Sequence, residues 1–326
     1  MIISYKRLWN KLPPQYLYDC IRELKIMKYS PLYAVLMLLF YAPQTMLQPE
    51  QKKAGEAFKF SVQSQLVEVY LTVTKGNQLI PNLKASDFVL TEDGMPVSVD
   101  RLDNQDVPLS IVLLFDISES MQESLKTTQD AAIAFIESLK PQDRVMLVLF
   151  NSEIRSFEQT TGDRGPIIRE IRNARARGVT RLHESILTGM KLLDGKAGRK
   201  AIVCFTDGED TSDAFSRAAV LNAAARSGFP IYTIGAGAGL ELSSLKIILT
   251  EFAEINSGRA FFIQSASKLR DAFAEVAEEL RSAYVLNYYT RVPQDGRWHE
   301  LSIRTKDPEY AVHCRTGFFA RRPESP

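Results

Sequence analysis

The middle of the chain alternates between short, continuous apolar runs and amphipathic segments with a helical period. The run Leu109–Phe115 has the unbroken apolar character of a strand that is buried on both faces of a parallel sheet. Further strands are predicted at Val145–Phe150, Ile154–Phe157 (an edge strand), Ala201–Phe205, Ile231–Ile234 and Ala260–Ile263. Helices are predicted at Ile167–Ile171, Leu182–Leu193, Ala214–Ser227, Leu242–Ile255 and Leu269–Arg281, and another directly after the first strand. This alternation predicts an α/β fold with a doubly wound, mostly parallel sheet flanked by helices.

The segments on either side of this region have a period of two instead. Val67, Val69, Leu71 and Val73 alternate with polar residues, as in a half-buried strand. Later strands are predicted at Tyr284–Tyr289, His299–Arg304 and Ala311–Arg315. Because neither segment is large enough for a core of its own, we expect the two to form one small β-sandwich. The predicted boundaries are 64–105 and 283–320 for these β segments, 106–282 for the α/β domain and 321–326 for a tail.

The N-terminal region contains a short apolar run at residues 32–42. The run is too short for a comfortable membrane span and is typical of the core of a signal peptide. Residues 1–48 are therefore predicted to be a signal peptide, with an uncleaved anchor as the alternative, and residues 49–63 a linker. Basic residues extend unusually far ahead of the run, so Met27 is an alternative start. The prediction places the protein outside the cytoplasm, as a secreted, periplasmic or cell-surface protein.

Composition narrows the classes of function. The net charge of +1 gives no bulk electrostatic reason to expect nucleic acid as a partner. Three cysteines are too few for a disulfide framework, and no Cys-x-x-Cys spacing suggests zinc. Contact with a membrane is expected only through the N-terminal segment.

Oxygen-bearing side chains follow the first buried strand directly. Asp116, Ser118 and Ser120 stand just past its end, and this edge of an open α/β sheet is where ligands bind. A carboxylate and two hydroxyls suit hard cations, Mg²⁺ above all and also Mn²⁺ or Ca²⁺. Asp and Ser are also ordinary helix-capping residues, so the motif alone leaves that alternative open. Thr180, in a loop, and Asp207, after the strand Ala201–Phe205, add a hydroxyl and a carboxylate at the same edge.

These five residues resemble the metal-ion-dependent adhesion site of the von Willebrand factor type A family. That family's pattern is Asp-x-Ser-x-Ser, then a Thr in a loop, then an Asp usually followed by Gly, on a Rossmann-like sheet. The resemblance covers about residues 105–282. The flanking segments resemble secreted bacterial proteins, common in acidobacteria, that carry such a domain between short β regions. The residues that carry this second resemblance are Asp87-Phe88, Glu92-Asp93-Gly94, Tyr284-Val285-Leu286 and Gly317-Phe318-Phe319.

The resemblance implies adhesion rather than catalysis. In the family, the five side chains hold a divalent cation directly or through water, and a Glu or Asp of a partner protein fills the remaining position. Four further residues are candidates for a rim that contacts the partner: Arg181, His183, Glu209 and Asp210. The alternative for His183 is an ordinary helix residue, and for Glu209 and Asp210 a solvated loop.

Two other functions stay open at this point. A magnesium site at a strand end could serve a hydrolase or a phosphoryl-transfer enzyme. Against an enzyme, the motif holds no evident general base for Ser118 or Ser120, and the chain has only three histidines. The second alternative is a scaffold in which the metal is purely structural.

Overall fold

The structure is a computed structural model, and it describes residues 65–104, 106–158, 162–212, 214–236, 243–264 and 268–322. The predicted leader and linker, residues 1–63, lie outside this range. The description concerns the compact unit formed by residues 61–326. None of the described helices is both long enough and apolar enough to cross a membrane.

A six-stranded sheet forms the centre of the α/β region. Its strands in chain order are β6 (Leu109–Asp116), β7 (Arg144–Phe150), β8 (Ile154–Glu158), β9 (Arg199–Thr206), β10 (Ile231–Ala236) and β11 (Ala260–Ile263). Their order across the sheet is β11-β10-β9-β6-β7-β8, all parallel except β8, which runs antiparallel along the edge. All eight residues of β6 are buried, which confirms the prediction from its apolar run.

Helices cover both faces of this sheet. They are α1 (Leu125–Ser138), α2 (Gly165–Asn173), α3 (Leu182–Leu193), α4 (Arg217–Ser227), α5 (Ser243–Glu254) and α6 (Leu269–Ser282). Alternate residues of β6 point to opposite faces: Leu113 packs in a core with α1, α2 and α6, and Leu114 in a core with α3, α4 and α5. The predicted doubly wound architecture is therefore confirmed.

The flanking strands form two antiparallel sheets. Their strands are β1 (Gln65–Lys75), β2 (Gln78–Leu79), β3 (Phe88–Glu92), β4 (Met95–Val97), β5 (Arg101–Asp103), β12 (Tyr284–Thr290), β13 (Trp298–Thr305), β14 (Ala311–Cys314) and β15 (Gly317–Phe319). The first sheet has the order β14-β1-β12-β5, with β2 also paired to β1, and the second has the order β15-β13-β3-β4. Each sheet mixes strands from before and after the α/β region, and one shared core joins them. This arrangement confirms the predicted β-sandwich.

Two local details differ from the sequence expectation. Helix α4 begins at Arg217 rather than Ala214, because the Ser216 side chain accepts a hydrogen bond from the backbone N–H of Ala219 and so caps the helix. Strand β15 was not predicted. It is only three residues long and is defined by its pairing with β13, which local periodicity does not reveal.

Candidate functional site

Two carboxylates meet where the order of the strands reverses. Asp116 is the last residue of β6, and Asp207 directly follows β9. These strands are parallel neighbours with Phe115 opposite Phe205, so the two acids leave the sheet side by side. After β6 the chain adds β7 on one side, whereas β9 lies on the other. Such a switch point, at the carboxyl ends of the strands, is the usual ligand position in open α/β sheets.

The Asp116 carboxylate is fully buried and fixed through both oxygens. Oδ1 accepts a hydrogen bond from the backbone N–H of Ser118 at 2.8 Å, and Oδ2 accepts one from Thr206 Oγ1 at 2.6 Å. Sequence reasoning gave Thr206 no role. A threonine at the end of a strand carries no local signal, and its contact spans 90 positions.

The hydroxyls form a chain that ends on the second acid. Ser118 Oγ and Ser120 Oγ lie 3.1 Å apart, and Ser120 Oγ donates to Asp207 Oδ1 at 2.6 Å. The Thr180 hydroxyl lies on the same side of the site, close to Gly208. A Cβ placed on Gly208 would lie 3.2 Å from Thr180 Oγ1 and 3.6 Å from Ser120 Oγ. The five side chains singled out from the sequence thus converge on one edge of the sheet, and their role as metal ligands stays a prediction.

Backbone contacts hold the loop that carries Thr180. The Thr180 N–H donates to Thr211 Oγ1 at 3.1 Å, and the Thr211 N–H donates to the Thr180 carbonyl at 3.0 Å. Gly178 in the same loop accepts from the backbone N–H of Glu119 and has a φ of 75°. A Cβ at this position would lie 2.3 Å from Ser152 Oγ, so both its conformation and the space around it require glycine. Thr211 is a second positioning residue that the sequence did not reveal.

Electrostatics make the site attractive to a cation. Burial raises the pKa of Asp116 to about 6, although the hydrogen bonds from Thr206 and Ser118 lower it. Burial also raises the pKa of Asp207, and the charge of Asp207 adds to the shift at Asp116. Among the ion pairs of the described residues, none involves Asp116 or Asp207. Buried charged groups are normally paired with an opposite charge or coordinate a metal, so a positive charge here would offset the desolvation of the two acids.

The donor set fits a hard divalent ion. Two carboxylates match the charge of Mg²⁺, and three neutral hydroxyls complete an all-oxygen set. In the described part of the chain, no group of three or more His, Cys, Asp or Glu side chains is arranged to hold a metal. The site differs from such groups because it combines only two carboxylates with three hydroxyls.

Two of the four predicted rim residues remain near the surface. Arg181 forms an ion pair with Glu184, Nε to Oε2 at 3.0 Å, and its side chain is 31% exposed. Glu209 Oε1 accepts a hydrogen bond from Ser244 Oγ at the start of α5.

The other two rim residues are turned inward, contrary to the expectation. The Asp210 carboxylate is 4% exposed and accepts from the backbone N–H groups of His183 (2.6 Å) and Ser212 (2.7 Å). It therefore caps the N-terminus of α3. His183 Nδ1 lies 2.9 Å from the Phe215 carbonyl, and the ring packs edge-on against Phe252. These contacts serve the fold and leave little of either side chain for a partner.

Exposed apolar side chains accompany the site, and sequence reasoning missed them. Val179 (50% exposed) directly precedes Thr180. Phe215 is 42% exposed, and its backbone carbonyl contacts His183 Nδ1. Ile247 (53%) lies one turn after Ser244, the residue that contacts Glu209. Exposed apolar side chains mark an interaction surface where they form a contiguous patch.

The family model of the von Willebrand factor type A domain matches residues 110–275, which hold the whole constellation. The chain belongs to the von Willebrand factor type A family. Domains of this family typically mediate protein–protein interaction and adhesion. Relatives include inter-alpha-trypsin inhibitor heavy chain H1 from Sus scrofa, 29% identical over 200 residues, and heavy chain H3 from Bos taurus, 26% identical over 204 residues. The alignments cover 55% and 56% of this chain but 22% of each relative, so this chain spans about a fifth of their length.

Solved structures also resemble the chain. The von Willebrand factor domain of the type V pili tip protein Mfa5 from Porphyromonas gingivalis is 15% identical with a TM-score of 0.46, covering 53% of this chain and 94% of its own. A von Willebrand factor type A protein from Catenulispora acidiphila is 13% identical with a TM-score of 0.46, covering 82% and 76%. Proximal thread matrix protein 1 from the mussel byssus is 18% identical with a TM-score of 0.46, covering 54% of this chain and 48% of its own. That structure has zinc in its metal-ion-dependent adhesion motif.

Proposed function

We propose that this protein is a binding module that captures an acidic group of a partner protein through a divalent cation, Mg²⁺ in the first place. The observation that carries the proposal is the pair of buried acids, Asp116 and Asp207, with no cationic partner among the described residues and with serine hydroxyls beside them. Ser118, Ser120, Thr180 and the two acids would hold the ion. Mn²⁺ and Ca²⁺ offer the same hard-cation chemistry.

The charge balance explains the choice of partner. When bound, the cation supplies a positive centre that attracts a further oxygen donor. Two carboxylates roughly neutralise a divalent ion, whereas hydroxyls add no charge, so the ion keeps its attraction for one more anion. The chain's own residues orient this centre: Ser118 N–H and Thr206 hold Asp116, and Ser120 holds Asp207.

The hydrogen bonds favour binding over catalysis. The hydroxyls of Ser118 and Ser120 contact each other, and Ser120 donates to Asp207; within the described residues neither serine is hydrogen-bonded to a histidine. His183, the histidine nearest to the motif in sequence, directs Nδ1 to the Phe215 carbonyl instead. Asp207 lies within hydrogen-bonding reach of the Ser120 hydroxyl, the position that a general base would take, but in this proposal its carboxylate is a ligand of the cation. We therefore propose no enzymatic activity.

The surface around the site suggests how a partner would be recognised. The proposed partner places an Asp or Glu at the cation and apolar side chains against Val179, Phe215 and Ile247, with Arg181 and Glu209 at the edge. Central anchors with a polar rim are the common anatomy of protein interfaces. The predicted leader at residues 1–48 leads us to propose that this binding takes place outside the cytoplasm.

A displayed peptide library tests the proposal. The full chain would be panned in magnesium against random peptides, which would then be eluted with EDTA. We expect enrichment of peptides that contain Asp or Glu, and their binding should vanish in EDTA and in the variant Asp116→Ala. Peptides that bind equally well in EDTA, or that lack a carboxylate side chain, would contradict metal-mediated capture. Magnesium-dependent hydrolysis of phosphate esters, lost in Asp207→Ala, would favour the enzyme instead.

A further inference from the structure

A second concave site lies at the other end of the molecule from the metal-site residues. A cavity of about 960 Å³ opens between the β-sandwich and the amino end of the central sheet. Lys200, near the start of β9, lines it, whereas Asp207 follows the end of the same strand. The seven residue steps from Lys200 to Asp207, at about 3.3 Å each, place the two sites about 23 Å apart.

The lining of this cavity is rich in positive charge. Its cationic side chains are Lys200, Arg226, Arg315, Arg321 and Arg322, and its acidic ones are Glu68 and Asp194. Five positive and two negative groups give an excess of three positive charges, in a chain whose total net charge is +1. A cleft that concentrates one sign of charge raises the local concentration of the opposite ion.

Most of these cations have no acidic partner. Lys200 Nζ lies 3.7 Å from Glu68 Oε2. Among the ion pairs of the described residues, none involves any of the four arginines of the cavity. The guanidinium groups are therefore available to an anion from outside the chain.

Arg315 is the decisive residue because it is buried as well as unpaired. Arg315 is 6% exposed, and its Nη2 donates a hydrogen bond to the backbone carbonyl of Glu68 at 2.7 Å. Its Nε is buried and finds no hydrogen-bond partner among the described atoms. Burial lowers the pKa of Arg315 to about 10, although nearby Tyr288 and Tyr70 act in the opposite direction. Glu68 is an acid whose charge acts on Arg315, but the two form no ion pair among those of the described residues, so a bound anion would offset the cost of burying this charge.

The surrounding residues hold the guanidinium groups in place. Arg226 lies over the ring of Phe319, with Cζ 4.4 Å from the ring centroid. Gly228 has a φ of 77°, and a Cβ there would lie 2.7 Å from Arg315 Nη1, so glycine leaves the room that this guanidinium occupies. Preorganised forks of this kind suit the paired oxygens of phosphate and sulfate groups.

We propose that this cavity binds a small polyanion that carries two or more phosphate or sulfate groups. Arg315 is the buried anchor, and Arg226 and Arg321 contact the ligand from the exposed side. Glu68 and the carboxyl end of α4 oppose an anion, and the surplus of cations outweighs them. The site is independent of the metal centre.

Calorimetry with inorganic pyrophosphate on the full chain, in metal-free buffer, tests this proposal. The variant Arg226→Gln/Arg321→Gln changes two exposed lining residues, and Arg155→Gln/Arg304→Gln makes the same change of charge at exposed positions outside the cavity. We expect the first variant to bind pyrophosphate about tenfold more weakly or worse, because the loss of a hydrogen bond to a charged group lowers the affinity by about that factor. The control should bind like wild type, as should Asp116→Ala.

A parallel titration with sucrose octasulfate separates the two sources of the anion. Tighter binding of pyrophosphate would identify a phosphorylated ligand, and tighter binding of the sulfated sugar a sulfated one; both support the site. Circular dichroism checks that both double variants keep the fold. Absence of binding to wild type by either probe, or equal weakening in the cavity variant and its control, would overturn the proposal.

Discussion

Asp116→Ala is expected to weaken Mg²⁺ binding by at least about 100-fold, because mutation of a residue that only supports a metal ligand already lowers metal affinity by about 10- to 100-fold. Asp116 is fully buried and supplies one of the two charges of the constellation. Isothermal calorimetry on the metal-free protein measures the affinity directly. Thermal unfolding gives a second readout, since magnesium at a hundred times its Kd stabilises the native state by about 2.7 kcal/mol.

The matched control for this substitution is Asp143, which lies beside the opposite end of β6. Asp143 is also buried, and it accepts hydrogen bonds from the backbone N–H of Leu109, at the start of β6, and of Lys140. Asp143→Ala should lower the stability but leave the magnesium affinity unchanged. Thr206→Val removes the hydrogen bond to Asp116 Oδ2 and the contacts of the same hydroxyl with the backbone of Gly208. Its magnesium affinity should lie between those of Asp116→Ala and Asp143→Ala. Equal magnesium binding by wild type and Asp116→Ala would place the metal elsewhere or nowhere.

Phe205→Ala is expected to destabilise the native state by about 3–5 kcal/mol, the usual cost of removing a buried aromatic side chain. Phe205 has no exposed surface and stacks between Phe115 and Phe273, at centroid distances of 6.1 and 6.2 Å. The stack joins β9 and β6 to α6 directly beneath the two acids. Urea denaturation followed by circular dichroism measures the change in the free energy of unfolding.

The same substitution on the surface provides the control. Phe215 is 42% exposed, so Phe215→Ala should change the free energy of unfolding by no more than about 0.5 kcal/mol. In the proposed function, however, Phe215→Ala should weaken the binding of enriched peptides. A small effect of Phe205→Ala would contradict the tightly packed core that we describe around the stack.

Much of the fold could be predicted from the sequence because its signals are local. The continuous apolar run of β6 and the helical period of α3 each indicate one element, and the alternation of strands and helices indicates how they are layered. The β-sandwich could be predicted for a different reason. Each of the two flanking β segments is too small to form a hydrophobic core alone, so they are expected to form one core together. The strand order β14-β1-β12-β5 could not be predicted, because it pairs residues about 200 positions apart and no local pattern specifies the partner.

The site divides in the same way. Asp116, Ser118 and Ser120 form a short motif, so their proximity could be predicted. Asp207 follows from a strand end at the same edge, and Thr180 from a loop that resembles the family's pattern. Thr206 and Thr211 escaped notice because their roles depend on contacts through space. The expectation that Asp210 and His183 lie on the rim missed a contact through space. Asp210 caps a helix that begins 28 positions before it, at Leu182.

Crystals of the full chain grown with Mn²⁺ give the most direct test of the central claim, because anomalous scattering locates the ion without reference to any assumed ligand. We predict one strong anomalous peak between Asp116, Ser118, Ser120, Thr180 and Asp207, with a water or a carboxylate from another molecule on its open side. The peak should be absent from crystals of Asp116→Ala. A map without a peak at this edge of the sheet, or with the ion bound by other residues, would contradict the account.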